Sequence, residues 1–317
     1  MRYRMLGGKS VSVIALGSAD FGGRIPQGQA HEFLDAWAET GGNFVDTARV
    51  YGDFIGRRPG ESEKVIGRWL ERRDRARVFL STKGAHPDLD HMDVGRLSRE
   101  EILDDARRSL EDLRTDCVDL YWLHRDDTTR PVGAIMETLN ELVDGGMTRM
   151  IGVSNWTAAR IREADTYAVA HGLRPLDANQ PQCSLARQMI VEDPTLQPMD
   201  ADTWRLHRGT GMPLMPFSAQ AKGFFSKLDA MGEAGLPEKL RRCFLSGENL
   251  GVYRRMRALR EQTGLSIGAI ALAWLTCQPF PTYPLCGASR VGQVLALGEA
   301  GDAVLTDEQR DWLRYCG

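Results

Sequence analysis

The strongest constraint on this chain is an alternation. Eight times, a short β-rich run is followed by a helical pattern, with no break in composition. VIALG (13–17) precedes a helical stretch at 30–40, NFVD (43–46) precedes one at 63–72, and RVFLSTK (77–83) precedes one at 99–113. CVDLYWLH (117–124), MIGVSN (150–155), LDANQ (176–180), MPLMPFS (212–218) and PTYPLCGAS (281–289) complete the series. Strands joined through helices run parallel. Eight such units in 317 residues fit an α/β fold, a (β/α)8 TIM barrel, as one domain over 1–317. A doubly wound sheet is the alternative, but no GxGxxG lies between the first strand and helix. Ahead of the barrel, MRYRML and KSVSVI flank Gly7-Gly8 and read as a β-hairpin. Ser98, with Glu101 three positions on, predicts a capping box for the helix carrying Ile102, Ala106, Leu110 and Leu113 on one face. Segments 84–98 and 218–250 read as long loops over the C-terminal face of the barrel.

Composition narrows the partners. Hydrophobic residues make up 42% of the chain, enough for a sizeable core. The net charge of −3 and the lack of a long basic run argue against nucleic acid. No uncharged apolar run approaches the ~18 residues of a membrane span. The six cysteines are scattered and form no CxxC, so neither structural metal nor a disulfide framework is expected. Together with an N-terminus lacking an apolar h-region, this favours a cytoplasmic setting. His86 and His91, irregularly spaced among acids after Lys83, read as part of a solvated substrate-side loop rather than a metal site. No coiled-coil seam is visible, and the oligomeric state stays open.

In a barrel of this kind, chemistry gathers where strands run into their C-terminal loops. Those ends deliver, in order, Asp46, Lys83, His124, Ser154-Asn155, Gln180, Phe217-Ser218 and Gly287-Ser289-Arg290. Tyr51 lies in the loop after Asp46. Taken singly, each reads as a solvated loop residue or a core side chain. The set together reads as a site. Reducing a carbonyl needs hydride at carbon and a proton at oxygen. Tyrosine can give that proton, but its ordinary pKa of about 10 makes it a weak acid at neutral pH. A nearby ammonium stabilises phenolate, and a buried ammonium in turn needs a carboxylate. Asp46, Lys83 and Tyr51 supply those three groups, and His124 can donate to the substrate oxygen or relay the proton.

GGNFVDTARVYGD (41–53) with GESEKVIGRWL (60–70) resembles the signature of the aldo-keto reductase superfamily. The likeness continues through VFLSTKG (78–84), VDLYWLHRDD (118–127), IGVSNW (151–156), NQPQCSL (179–185), MPFSAQAKGFFS (215–226) and LCGASRVGQV (285–294). The resemblance implies a (β/α)8 barrel that interconverts carbonyls and alcohols with NADPH (NADP+), less often NADH, without metal. Residue by residue it implies a catalytic tetrad of Asp46, Tyr51, Lys83 and His124, with Tyr51 as general acid and base. Ser154, Asn155 and Gln180 match positions holding the nicotinamide carboxamide, and Phe217 matches the aromatic stacked on its ring. Ser218 and Gly223 fall in the pyrophosphate loop. Gly287, Ser289, Arg290 and Gln293 fall in the block holding the adenosine phosphate end, where Arg290 favours NADPH over NADH. The chain departs from the family where an acid and an asparagine usually contact adenine, since Ala296 and Leu297 stand there. Phe21, Phe54 and Trp156 are expected to line a pocket for an aldehyde or ketone, sugar-like carbonyls included. The alternatives are a nicotinamide-nucleotide-binding barrel acting as a redox sensor or regulatory subunit, and an isomerase or lyase that uses bound NADP.

Overall fold

A computed structural model describes residues 1–53, 59–191 and 193–314. The chain opens with the antiparallel pair β1 (Tyr3–Leu6) and β2 (Lys9–Ser12). Gly7 and Gly8, at φ 54° and 79°, form the tight turn between them, and two successive left-handed residues suit glycine there. The barrel begins with β3 (Ala15–Gly17), followed by α1 (Gln27–Glu39). Next come β4 (Phe44–Asp46) with α2 (Glu61–Leu70), β5 (Phe79–Gly84) with α3 (Arg99–Leu113), and β6 (Leu120–Leu123) with α4 (Val132–Asp144). Then follow β7 (Ile151–Ser154) with α5 (Ala158–Ala170) and β8 (Ala178–Gln180) with α6 (Ala201–Thr210). The helices α7 (Phe224–Gly235), α8 (Glu238–Phe244), α9 (Gly247–Thr263) and α10 (Ile267–Thr276) precede β9 (Leu285–Cys286). The described chain closes with α11 (Val291–Ala300) and α12 (Asp307–Leu313).

The strands pair in parallel in the order β8-β7-β6-β5-β4-β3-β9. The ring closes through residues 213–217, although no full strand forms there. The Asn179 N–H donates to Pro213 O (3.1 Å), and the Met215 N–H to Asn179 O (2.9 Å). On the other side, the Tyr283 N–H donates to Leu214 O (2.8 Å) and the Leu285 N–H to Pro216 O (2.9 Å). Pro213 and Pro216 have no N–H, so the ladder is reduced to isolated bridges. The seventh strand expected from MPLMPFS is therefore present as an edge-to-edge bridge.

Two cores hold this frame. Inside the ring, Phe44, Phe79, Leu120, Trp122, Met150, Met215 and Tyr283 stack together, and the hairpin residues Leu6 and Val11 close the bottom. Outside, the apolar helix faces pack on the ring. The base is also tied electrostatically. Buried Asp119 accepts from Arg75 (2.9 Å) and the Leu80 N–H (2.9 Å) and pairs with Lys9 (2.7 Å). The capping box forms: the Ser98 N–H donates to Glu101 Oε2 (3.1 Å), and the Glu101 N–H to Ser98 Oγ (3.3 Å). Such a cap contributes about 1 kcal/mol.

Two loop expectations need correction. Segment 218–250 is largely helical, in α7, α8 and the start of α9. Its helical character is masked in sequence by short lengths, by Gly232 at φ 68° and by the Leu236-Pro237 break. Phe224, Phe225, Leu228, Leu240 and Phe244 anchor it in the outer core. Segment 84–98 does not start as a solvated loop, because residues 84–87 are buried.

Candidate active site

The parallel ring brings Asp46, Lys83, His124, Ser154 and Gln180 to one rim, since each stands at the end of its strand or just past it. Beyond Asp46 the chain continues beside β5, where the Thr47 N–H donates to Ser81 O and the Arg49 N–H to Lys83 O (both 2.9 Å). It then turns at Gly52, whose φ of 87° leaves no room for a Cβ beside the Glu61 side chain. That turn carries Tyr51 back over Lys83. Beneath it, Arg49 bridges Glu63 (3.1 Å) and Asp112, and Thr82 Oγ1 donates to Glu63 (2.5 Å).

Lys83 is fully buried. Its ammonium has three donors and three acceptors: Asp46 Oδ2, Thr47 O (2.8 Å) and the Tyr51 phenol oxygen (3.2 Å). Burial pulls its pKa down, but Asp46 and Tyr51 outweigh burial and hold it above the ordinary lysine value. Asp46 is fixed from its other oxygen by Ser81 Oγ (2.6 Å) and Gln180 Nε2 (3.4 Å). Because the phenol oxygen accepts from Lys83, its own O–H hydrogen is free to point elsewhere. Tyr51 is half-buried, so that proton lies within reach of a bound molecule.

The His124 ring lies edge-to-face with Tyr51, centres 5.8 Å apart. Burial holds its pKa well below the ordinary histidine value, helped by nearby His86, Arg125 and Lys83. The imidazole is therefore neutral at pH 7. Nδ1 is buried without a hydrogen-bond partner among the described residues. A lone pair is tolerated there better than an orphan N–H, which puts the proton on Nε2.

The next group around the rim carries amides and hydroxyls. Ser154 Oγ donates to Gln180 O (2.7 Å). Asn155, at φ 61°, spends its amide hydrogens on His124 O (3.1 Å) and Ser154 Oγ (3.0 Å), and its Oδ1 accepts from the Gln197 N–H (3.1 Å). Asn155 thus ties three loops of the rim together and keeps one lone pair for a ligand. Phe217 rests, half-buried, on the inner core at the mouth. After it, Ser218, Ala221, Lys222 and Gly223 are all left-handed, with φ of 54°, 48°, 55° and 78°. Three non-glycine residues in that region within one short turn are uncommon and give the backbone there a strained, tightly curled course. An adjoining cleft is lined by Ala219, Gln220, Ala221, Gly223, Phe225 and Ser184. Gly287, Ser289, Arg290 and Gln293 are exposed at the start of α11, where Gln293 Oε1 accepts from the Ser289 N–H (2.8 Å) and hydroxyl (3.0 Å). Arg290 makes no ion pair with a described residue, so its guanidinium is available to an anion. Of the departing pair, Ala296 is exposed while Leu297 is buried in the core under α11.

The expected pocket walls are corrected. Phe21 is 1% exposed and packs edge-to-face on Phe33 (6.3 Å). Trp156 is fully buried, with Arg160 over its ring at 5.3 Å. Phe54 lies outside the described residues. Two neighbours of His124 were not among the expected site residues. His86 packs against His124 (4.7 Å), and Arg125 donates to His124 O (2.9 Å) and Thr195 Oγ1 (3.0 Å). Their sequence signal was proximity alone: His86 follows Lys83 by three positions and Arg125 adjoins His124. Among the described residues no group of three His, Cys, Asp or Glu side chains could hold a metal ion, and no helix is long and apolar enough to cross a membrane.

Comparison with known proteins gives the family. The model of the Aldo/keto reductase family matches residues 13–316. The chain is similar to a norsolorinic acid reductase B of Aspergillus parasiticus, at 28% identity over 97% of this chain and 82% of the relative. It is similar to an aryl-alcohol dehydrogenase of Pestalotiopsis microspora, at 27% identity over 97% of this chain and 80% of the relative. It is also similar to a probable voltage-gated potassium channel subunit beta of Oryza sativa subsp. japonica, at 29% identity over 98% of this chain and 95% of the relative. With its family model matched across nearly the whole chain, this protein belongs to the aldo/keto reductase family of oxidoreductases.

Proposed function

We propose that this protein reduces an aldehyde or ketone to an alcohol with NADPH, through Tyr51, Lys83, Asp46 and His124. The observation that carries this reading is the three-way use of the Lys83 ammonium, which joins a buried carboxylate to a phenol and leaves the phenol's proton free. The rim residues fit a nicotinamide dinucleotide. Ser154, Asn155 and Gln180 would hold the carboxamide, and Phe217 would lie against the ring. The left-handed turn at 218–223 would receive the pyrophosphate, and Arg290 with Ser289 and Gln293 the adenosine phosphate. Bound there, the reduced nicotinamide supplies hydride to the carbonyl carbon.

The chain's own part is the proton. His124 Nε2–H donates to the carbonyl oxygen and orients it. Tyr51 gives its proton to that oxygen, and Lys83, 3.2 Å away, stabilises the phenolate left behind. At an effective dielectric constant of 20, that attraction is on the order of 5 kcal/mol, before the opposing field of Asp46. Asp46 keeps Lys83 charged throughout. In the oxidative direction the same phenolate takes the proton back.

The potassium-channel-subunit relative supports a second reading, a nicotinamide-binding barrel with a regulatory role. The two separate on turnover. Purified protein mixed with NADPH and a panel of aldehydes is expected to consume the cofactor, read as loss of absorbance of the reduced form. NADPH binding without consumption across the panel would favour the regulatory reading.

A further inference from the structure

His86 is buried against the tetrad and takes no part in the proton transfer above. It is 5% exposed, with its ring edge-to-face with His124 at 4.7 Å. Its Nδ1 lies 2.7 Å from Pro87 O, and since a carbonyl only accepts, Nδ1 carries the hydrogen. Burial and the nearby Arg125 charge hold the ring down to a pKa of about 4, so it is neutral at pH 7. Nε2 is therefore a bare acceptor, and no described residue donates to it. The backbone that carries it is strained and hydrogen-bonded in place. Ala85 sits at φ 58°, its N–H donating to Asp105 (2.8 Å). Arg96 reaches both His86 O (3.0 Å) and Asp105 (3.3 Å). A non-glycine residue in that conformation, clamped from two sides, is how a side chain is held to a fixed aim.

On the reductase reading above, two neutral imidazoles then stand side by side, ring centres 4.7 Å apart: His124 with an Nε2–H to donate to a carbonyl oxygen and His86 with a bare Nε2 to accept from a hydroxyl. We propose that His86 is a substrate-reading residue whose Nε2 accepts from a hydroxyl on the carbon next to the reacting carbonyl, which makes 2-hydroxy aldehydes and ketones, and the matching vicinal diols, the substrate class. The character of the mouth agrees. Phe21 and Trp156 are withdrawn into the core, while His86 and Arg125 adjoin His124, and Thr195 accepts from Arg125. Polar neighbours of this kind select a polar substrate, because a site built to bond a hydroxyl discriminates against the analogue lacking it.

The test compares 2-hydroxypropanal with propanal, with NADPH, in the wild type, His86→Phe, His86→Leu and His86→Gln. The readout is the ratio of kcat/KM for the two aldehydes, in which their intrinsic reactivities cancel between variants. The ratio is expected to fall about tenfold in His86→Phe and His86→Leu and to recover in His86→Gln, whose amide oxygen again accepts. Leu is small enough to avoid a clash, so it separates a lost acceptor from a misplaced ring. A ratio within twofold of wild type in both apolar variants would overturn the role of His86 while leaving the reductase reading intact. A wild type that turns over neither aldehyde would overturn the reductase reading and this inference with it.

Discussion

The Asp46–Lys83 pair makes a quantitative demand on stability. Lys83→Met removes the ammonium and keeps the length of the side chain. Asp46, 2% exposed, is then left as a buried carboxylate with only Ser81 and Gln180 to hold it. Asp46→Asn leaves the converse, a fully buried ammonium facing Thr47 O and Tyr51. Breaking a buried pair from one side costs about 3–5 kcal/mol, because a charge remains without its partner. With both changed, no uncompensated charge remains, so Asp46→Asn/Lys83→Met is expected to be more stable than either single variant. The coupling between the two sites should be at least about 3 kcal/mol, well beyond ordinary non-additivity. Urea denaturation of all four proteins at pH 7.5, followed by tryptophan fluorescence, measures it. Activity should not follow stability: aldehyde reduction should be lost at least about 100-fold in all three variants. Additive stability losses, or a double variant less stable than both singles, would refute the idea that Lys83 is charged and balanced by Asp46.

Two further expectations follow from single groups. Arg290→Ala should weaken NADPH by about 10- to 100-fold and NADH much less, since a charge-assisted contact to a phosphate is lost; fluorescence titration of both cofactors checks it, and equal losses count against a phosphate role. His207 is buried, with Nδ1 donating to Met212 O (2.7 Å) and its pKa held down to about 4 by that burial, against about 6.5 unfolded. Between those values the unfolded chain binds the extra proton, so stability falls as pH falls through the window. Wild type should therefore lose about 2 kcal/mol more than His207→Gln between pH 7.5 and pH 5 in denaturant titrations. Parallel curves for the two proteins would show that His207 is not held neutral.

Much of the ring and rim could be read from the chain because both follow from period and position. Strand ends are punctuated in sequence, and Asp46, Lys83, His124, Ser154 and Gln180 needed only a parallel ring to converge. What escaped was side-chain direction and interrupted regularity. Trp156 follows Asn155, whose left-handed φ of 61° turns the chain so that the indole goes under the rim. Phe21 likewise adjoins the rim in sequence yet packs inward on Phe33. Pro213 and Pro216 reduced the seventh strand to bridges, and Gly232 with Pro237 broke α7 and α8 into pieces too short for a clear helical period. His86 read as a loop histidine because its burial depends on the Arg96–Asp105 clamp, whose partners lie ten or more positions further along the chain.

The most direct measurement is single-turnover reduction with Tyr51→Phe. The substitution removes one oxygen and leaves the rim otherwise as it is. Loaded with NADPH and mixed rapidly with an aldehyde that the wild type reduces, the variant is expected to oxidise cofactor roughly 100- to 10,000-fold more slowly, with its NADPH affinity within about threefold of wild type. An undiminished rate would remove the Tyr51 proton from the reaction and contradict the account.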